Sequence, residues 1–420
     1  MKINTDPIYV RRRRVAVAIL VVVILVIVLC LGKLFGGGDK AAAESGAQSL
    51  ASTTEETAAP KEVESPAPSE SAAKKQGKKA DPADSDLVRI QRITGELTPK
   101  SVVASSTGQV FAQNMMYTHT VSAFTADGAL EKTISDSVEL ADFGIKGHAG
   151  TSRGAPVEMA FSPDGKTAWV SNYSMYGEGF LPEGRDACTG PEGASKSFVY
   201  KIDTKSLEIV DAVEVGTVPK YVAITHDGST VLVTNWCSMD LSVIDTKTAK
   251  VTDTIPLGGD HPRGIAVAPD DKTAFVAIMG DDHTVAVDLT SGEVRDFAKS
   301  GEEPRHLLVS PDGEHLYITN NGEGTLSEVS TETGEVTREV RVGDEPRSMT
   351  ISPDGEAIYV ANYRSSTVSK VLTDDFEVTQ SVQTDALPIG ITYEPTKQRV
   401  WVACYGGSIL VFDDSRTVLQ

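Results

Sequence analysis

The sequence predicts an all-β fold, a seven-bladed β-propeller, from a repeat that runs through most of its 420 residues. Prolines recur with 42 or 43 residues between neighbours, at Pro219, Pro262, Pro304, Pro346 and Pro388. After each proline comes an apolar run, then a turn of the Pro-Asp-Gly type or similar, then a second apolar run. Four short strands in about every 42 residues are typical of propeller blades, which stack around a central channel.

The blade that begins at Pro304 shows the strand pattern most clearly. Its four candidate strands are 305–310, 315–320, 325–330 and 335–342. Each is rich in β-branched or aromatic residues and is bounded by Gly, Pro, Asn or Asp, the residues that favour turns. The other blades are expected to follow this template.

Two further copies lie upstream and are stretched by insertions. They begin at Pro99 and Pro156, and the extra residues are 134–151, between the two blades, and 175–196, inside the second. In a propeller, the loops that join the second and third strands lie on the same face as the loops between blades. Both insertions are therefore expected on one face, where insertions on a repeat scaffold usually form a binding surface.

Residues 87–98 precede the first blade and have no inner strands of their own. Their spacing matches the outermost strand of a blade, so we expect an N-terminal strand that closes the last blade, blade 7, together with three C-terminal strands. Closing the ring in this way removes exposed sheet edges, and a monomeric propeller is therefore expected.

The N-terminal region predicts a single-pass membrane protein. Residues 15–32, from Val15 to Gly32, carry no charge, and a helix of that length spans roughly 27 Å, close to a hydrocarbon core of about 30 Å. Four arginines at 11–14 precede it, so the positive-inside rule predicts a cytoplasmic tail, 1–14, and an extracytoplasmic propeller at the cell membrane. A cleaved signal peptide is the other interpretation, with small residues at 41–43 as its cleavage site.

Residues 33–85 consist mainly of Ala, Ser, Thr, Glu, Pro and Lys, with almost no large apolar side chain after the first few. Such a segment cannot bury enough apolar surface to offset the entropy lost on ordering, and it is predicted to be a disordered linker. The propeller then occupies 86–420.

The overall composition narrows the classes of partner. A formal net charge of −20 argues against a nucleic-acid ligand, because phosphate neutralisation needs a basic surface. The four cysteines contain no Cys-x-x-Cys pair, which argues against a zinc ribbon and against c-type haem attachment.

Cys188 and Cys237 fall in equivalent loops of blades 2 and 3. A disulfide between them is expected in an oxidising compartment, and two unrelated free thiols are the other interpretation.

The second apolar runs end in related tetrapeptides, WVSN at 169–172, LVTN at 232–235, YITN at 317–320 and YVAN at 359–362. These segments resemble the repeats of the YVTN family of β-propellers, and the resemblance covers about 87–420. It implies an extracytoplasmic or envelope propeller. Because the motif residues are structural, the resemblance indicates a fold and leaves the activity open.

Basic residues follow the repeat proline in five of the seven blades, where the innermost strands start at the channel mouth: Lys100, Lys220, Arg263, Arg305 and Arg347. Two histidines, His261 and His306, flank members of this set. One interpretation is a cationic funnel for an anionic ligand. The other is a structural ion pair in each blade, made with acidic residues of the same loops: Asp260, Glu303, Asp344 and Glu345.

No metal and no cofactor are expected at these positions. The histidines come from different blades, and no short His-x-His spacing supports a metal site. Cys404 stands at the strand-end position of blade 7 and is expected to be a buried thiol.

The stretch 301–306, Gly-Glu-Glu-Pro-Arg-His, resembles a Gly-x-Gly-Pro-Arg-His stretch of lactonase-type propellers, although Asn320 is followed here by Asn321 and not by Glu. Two functions therefore stay open. The first is a membrane-anchored module of the cell envelope that binds or scaffolds an envelope protein, a glycan or a small anionic ligand through its loop-inserted face. The second is an envelope hydrolase or lyase, lactonase-like, with its active site at the channel mouth.

Overall fold

The computed structural model describes residues 80–181, 186, 188 and 193–416. Seven antiparallel sheets of four strands form in this part of the chain, which confirms the all-β, seven-bladed propeller. No helix in it is long and apolar enough to cross a membrane. The predicted cytoplasmic tail, membrane-spanning segment and most of the predicted linker lie outside the described residues.

The first three blades are listed in chain order. Blade 1 contains Ser101–Ala104, Val110–Asn114, Thr120–Phe124 and Leu130–Ser135. Blade 2 contains Pro156–Phe161, Thr167–Asn172, Lys196–Asp203 and Glu208–Thr217. Blade 3 contains Pro219–Ile224, Thr230–Asn235, Asp240–Asp245 and Lys250–Pro256.

The remaining blades repeat the pattern. Blade 4 contains Pro262–Val267, Thr273–Ile278, His283–Asp288 and Val294–Ala298. Blade 5 contains Pro304–Val309, His315–Asn320, Thr325–Ser330 and Val336–Arg341, within two residues of the predicted bounds. Blade 6 contains Pro346–Ile351, Ala357–Asn362, Thr367–Leu372 and Glu377–Gln383. Blade 7 contains Pro388–Glu394, Arg399–Cys404 and Ser408–Asp413, with Val88–Thr94 as its outermost strand.

Burial changes from the channel to the rim of each blade. In blade 6, every residue of Ala357–Asn362 is buried, whereas Glu377–Gln383 alternates between exposed and half-buried positions. The second strand is packed between two neighbouring blades, so it is a continuous apolar run, and the outer strand has solvent on one side. The apolar core consists of seven layers, one between each pair of neighbouring blades.

The ring is closed by strand pairing between the two ends of the propeller. Val88–Thr94 pairs antiparallel with Ser408–Asp413, which confirms the predicted closing strand. The innermost strands of successive blades contact one another all the way round, and the innermost strand of blade 7 contacts that of blade 1. These seven strands therefore line a central channel.

Residues just before the closing strand, which the sequence assigned to the linker, are attached to the propeller. Pro82–Asp84 is a 3-10 helix, and Ser85 Oγ donates to Asp414 Oδ1 at 2.8 Å. Lys370 Nζ donates to the carbonyl oxygen of Ser85 at 2.7 Å. Residues 80–85 therefore contact the propeller.

Both insertions pack on blade 2. The first contains a short hairpin of Ser137–Val138 with Ser152–Arg153, and the 3-10 helix Leu140–Phe143. Met175, at the start of the second insertion, shares an apolar layer with side chains of that hairpin and helix and with blade 2. The two insertions therefore lie on one face of the propeller. A further 3-10 helix, Met279–Asp281, lies between the second and third strands of blade 4.

Candidate functional site

Bulges at the start of the innermost strands aim basic side chains into the channel. In blade 5 the regular pairing skips from Pro304 to Leu307, so Arg305 and His306 lie in a bulge. Blades 3 and 4 have a similar irregularity directly after their prolines. A bulge increases the local twist and turns a side chain away from the direction it would have in a regular strand. The residue after the proline can therefore point towards the channel axis.

Four cations meet inside one end of the channel, and we call this set the basic mouth: Lys100, Lys220, Arg263 and Arg305. They come from blades 1, 3, 4 and 5, and each is only 5–8% exposed. Burial is the largest cause that lowers the pKa of every member. For Lys220, burial and then the positive charge of Arg263 lower the pKa to about 7. The mouth is therefore a buried site of positive potential.

Glu158 is the carboxylate that two of these cations share. Its Oε1 lies 3.6 Å from Lys100 Nζ and 4.0 Å from Arg263 Nη2. Glu158 is the second residue after a repeat proline, Pro156, a position at which only His306 stood out in the sequence. The second residue after the repeat proline also reaches the channel in blades 3 and 5, where it is Tyr221 and His306. This position of the repeat therefore indicates a residue that faces the channel.

Lys220 is held by a carboxylate from the second insertion and by two aromatic rings. Its Nζ donates to the carboxylate of Asp186 and lies 4.5 Å and 5.2 Å from the ring centres of Tyr173 and Trp236. Burial by itself would raise the pKa of Asp186, but the charge and hydrogen bond of Lys220, together with the charge of Arg263 and the hydrogen bond from Tyr173, outweigh burial and lower it. The inserted loop thus provides the counter-ion of one member of the basic mouth.

A disulfide and a hydrogen bond fasten the second insertion beside this ion pair. The sulfurs of Cys188 and Cys237 are bonded. Trp236 Nε1 donates to the backbone oxygen of Asp186 at 2.7 Å. Because both anchors are within two residues of the Asp186 side chain, they hold its carboxylate at the mouth.

The ion pairs expected within each repeat occur for one of the site residues only, among the described residues. Arg347 Nη2 lies 2.7 Å from Glu345 Oε2. Arg263 is near Glu158 of another blade, and Arg305 has no carboxylate within ion-pair distance in the described part of the chain. The side chains of Arg263 and Arg305 are buried, and neither forms an ion pair with an acid of its own loop among the described residues. The interpretation as a structural ion pair within each blade is therefore wrong for Arg263 and Arg305. The other interpretation, a cationic funnel for an anionic ligand, stays a prediction.

A hydrogen bond crosses the channel between blades 3 and 5. Tyr221 Oη and His306 Nε2 are 2.7 Å apart. His306 Nδ1 accepts the backbone N–H of Met349 at 3.1 Å, so Nε2 carries the ring proton and donates it to Tyr221. Burial, followed by the charges of Arg263 and Arg305, lowers the pKa of His306 to about 3. The imidazole is therefore neutral at neutral pH.

A cavity opens at the end of the channel where the Pro-Asp-Gly turns lie. It has a volume of about 600 Å³, and its lining consists mostly of apolar side chains of the innermost strands, together with Tyr221. The channel therefore has one basic and one apolar end.

The other two predicted site residues lie beside aromatic rings. His261 stacks on Trp236 with 4.4 Å between the ring centres. The guanidinium of Arg347 lies 3.6 Å from the ring centre of Tyr363. Both are half-buried, so they border the basic mouth and are less enclosed than its four members.

Aromatic residues near the basic mouth were not predicted as site residues, although they share one position of the repeat. In four blades an aromatic residue follows the last residue of the second strand: Tyr173, Trp236, Tyr363 and Tyr405. Three of these rings carry a cation on their face, either Lys220 or Arg347. Cation–π contact stabilises a buried positive charge without neutralising it, so these rings keep the charges available for a ligand.

Two groups of side chains in the described residues are close enough together to hold a metal ion. They are mostly exposed acidic residues of turns on the opposite face: Asp312, Glu314 and His315 in one group, Asp81, Asp354 and Glu356 in the other. Neither group includes a member of the basic mouth. The expectation of no metal at the predicted site stays a prediction.

Fold and site together define a seven-bladed β-propeller with a basic channel mouth beneath inserted loops. The family model described as "Lactonase, 7-bladed beta-propeller" matches residues 302–377, which comprise blade 5 and the first three strands of blade 6. The matched segment includes Arg305, His306 and Arg347.

Two known proteins resemble this chain. Antigen Lp49 of Leptospira interrogans is 25% identical over 141 residues, which are 34% of this chain and 28% of the antigen. The chain thus matches only about a quarter of that relative's length. A chain of hydrazine synthase from Kuenenia stuttgartiensis superposes with a TM-score of 0.60 at 19% identity, over 76% of this chain and 96% of that one. This likeness concerns the fold alone.

Proposed function

We propose that this chain is a ligand-binding propeller of the cell envelope, which binds through its loop-inserted face and takes an anionic group at the basic mouth. The proposal rests on a single observation, the environment of the Arg305 side chain. Its guanidinium is buried, and no carboxylate of the described residues lies within ion-pair distance of it. Burying an uncompensated charge is costly. An anionic ligand would supply the missing counter-charge, and a guanidinium binds carboxylate or phosphate with two parallel hydrogen bonds.

The surroundings of Arg305 support the same proposal. Its Nε donates only to a backbone oxygen, that of Arg347, at 3.3 Å. Burial and the positive charges of Arg263 and Arg347 lower its pKa, and the more distant carboxylates of Glu158 and Asp186 offset only part of this shift. A site in which cations repel one another binds an anion more strongly than a single exposed cation does, because the anion relieves the repulsion as well as pairing with a charge.

The cell-membrane location belongs to the same proposal and rests on the apolar segment 15–32 with its preceding arginines. Ala80 receives a hydrogen bond from Gln398, in the turn between the first two strands of blade 7. That turn is on the face opposite the insertions, so Ala80 lies on the face away from the basic mouth. The tetrapeptides that resemble YVTN repeats favour membership of that envelope family.

Titration calorimetry of the full-length chain in detergent, with citrate and with inorganic phosphate, tests the proposal. We expect binding to the wild type and at least about tenfold weaker binding to Arg305→Ala, since a buried charge-assisted pair contributes about 1.5–3 kcal/mol. Arg295→Ala is the matched control, because Arg295 lies on the outer strand of blade 4. No binding of either anion, or equal loss in both variants, would contradict the proposal.

A hydrolase or lyase at the same mouth is the second candidate, favoured by the match of the lactonase propeller model to 302–377. His306 and Tyr221 would then be the groups that handle protons at the channel. Turnover of a panel of lactones by the wild type, lost in His306→Gln, would support this function. Anion binding without turnover of any member favours the binding module.

A further inference from the structure

Lys100 differs from the other lysine of the basic mouth in having no hydrogen-bond partner. Its Nζ is buried and makes no hydrogen bond within the described part of the chain. The nearest carboxylate oxygen, Glu158 Oε1, is 3.6 Å away, beyond hydrogen-bond distance but close enough for a proton to be exchanged through a small shift. Lys220 Nζ, by contrast, donates directly to Asp186.

A buried ammonium without acceptors is unfavourable, whereas a neutral amine in the same place is much less so. Burial, followed by the charge of Arg263, lowers the pKa of Lys100 well below its usual value. The missing hydrogen-bond acceptor and the neighbouring positive charges both favour the neutral amine of Lys100, and only the charge of Glu158 opposes this. A neutral amine with a free lone pair, next to other cations, is the state in which a lysine attacks carbonyl carbons.

Arg263 provides the second part of the arrangement. Its Nη2 lies 4.0 Å from the same Glu158 oxygen that faces Lys100 Nζ. The amine and the guanidinium therefore both lie beside Glu158, and Arg305, which lacks a carboxylate within ion-pair distance among the described residues, lies in the same buried cluster. A ligand with a carboxylate next to a carbonyl group could present its carboxylate to the guanidinium groups and its carbonyl carbon to the amine.

We propose that Lys100 forms a Schiff base with a small 2-oxo acid whose carboxylate is bound by Arg263 and Arg305. This inference rests on the proposed function and names the ligand class for the same mouth. Glu158 is the group that moves the proton, and the guanidinium groups orient the ligand.

The step balances without an oxidant or reductant. The neutral amine of Lys100 attacks the carbonyl carbon, the carbon–oxygen π bond breaks, and a proton transferred through Glu158 reaches the oxygen. The resulting carbinolamine loses that oxygen as water and leaves a protonated imine. Counted from the ammonium form, one lysine and one 2-oxo acid give one protonated imine and one water.

The test is reductive trapping of the full-length chain in detergent with pyruvate and sodium cyanoborohydride, followed by peptide mass spectrometry. We expect a single carboxyethyl group on Lys100, formed about tenfold faster than the matching adduct from acetone, because only pyruvate has a carboxylate for the guanidinium groups to orient. Lys100→Gln should remove this adduct. Lys201→Gln is the control. Lys201 lies on the third strand of blade 2, outside the basic mouth, and its Nζ donates to the Thr246 carbonyl oxygen at 3.1 Å.

Labelling spread over surface lysines, labelling of Lys220 in place of Lys100, or equal rates with pyruvate and acetone would each overturn the inference. Arg305→Ala provides a second readout, because it should slow the pyruvate adduct by a clearly larger factor than the acetone adduct, which feels only the lost charge beside Lys100. If citrate and phosphate bind the wild type but no pyruvate adduct forms, the Schiff base is refuted and the anion-binding function stands. If neither anion binds, the proposed function fails with it.

Discussion

Lys370 and Asp414 form a buried ion pair, with Nζ 2.9 Å from Oδ1 and side chains that are 1% and 0% exposed. Asp414 also accepts from Ser85 and from Tyr359, so blade 6 holds the two ends of the propeller together. Removing one partner of a buried pair leaves an uncompensated charge and destabilises by about 3–5 kcal/mol. We therefore expect Asp414→Asn to lower the free energy of unfolding by about that amount, measured by urea unfolding.

The double variant Lys370→Met/Asp414→Leu is the control for this pair. It removes both charges together, so it should be more stable than Asp414→Asn alone. If the single variant lost less than about 1 kcal/mol, the pair would not be the group that fastens the ends.

Asp186 is a counter-ion that an incoming anion has to compete with. Asp186→Asn keeps the size of the side chain and removes its negative charge beside Lys220. We expect it to strengthen citrate binding several-fold, in contrast to the loss for Arg305→Ala, because the basic mouth gains net positive charge. Calorimetry at two salt concentrations is the measurement, and the gain should shrink at high salt. Weaker binding in Asp186→Asn would mean that the loop carboxylate orders the site and does not compete for it.

His306 makes stability depend on pH in the acid range. Its pKa is about 3 in the folded chain, below the usual value of about 6.5. The unfolded chain therefore takes up a proton that the folded chain does not, and stability present above pH about 6.5 is lost as the pH falls towards 3, by about 1.4 kcal/mol per pH unit. We expect His306→Gln to reduce this loss in urea titrations between pH 6.5 and 4. Tyr221→Phe, which keeps the imidazole, should retain the wild-type slope.

Asp136 makes the stability depend on pH in the opposite direction, over an overlapping range of pH. It lies at the base of the first insertion and is almost fully buried. Burial raises its pKa from 3.8 to about 6, although Arg153 opposes the shift. The folded chain keeps this proton longer than the unfolded chain, so the stabilisation is full below pH about 3.8 and is lost as the pH rises through 6, by about 2–3 kcal/mol. Asp136→Asn should therefore be more stable than the wild type at pH 8 and equal to it near pH 4. Equal stabilities at both pH values would contradict this.

The number of blades could be predicted from the sequence because each blade repeats the same local requirements. A proline, a Pro-Asp-Gly type turn and a strand-end Asn recur at a fixed spacing, and the second strand is apolar throughout because it is packed between blades. The side chain of Asn320 shows why the Asn recurs: its Nδ2 donates to Ser327 Oγ at 2.9 Å inside the blade. The closing strand was predictable for the same reason, since residues 87–98 had no blade of their own.

The basic mouth was only half predictable. The bases after the prolines were visible, but their partners were not, because Glu158 and Asp186 come from other blades or from an insertion. The register shift after the repeat proline recurs in blades 5 and 6, yet Arg305 turns into the channel and Arg347 pairs with Glu345 of its own loop, so the repeat does not decide the pairing.

The sequence by itself determined the repeat, the closure of the ring and the positions that could face the channel, because these follow from local pattern and period. Only the tertiary structure decided which charges meet. Five blades contribute to one channel end, and whether a charge there is compensated depends on distances of a few ångströms between residues far apart in the chain. Lys100 and Lys220 occupy the same place in the repeat, yet Lys100 Nζ lies 3.6 Å from Glu158 and makes no hydrogen bond within the described residues, whereas Lys220 Nζ donates directly to a carboxylate, because only blade 3 lies under the second insertion's Asp186.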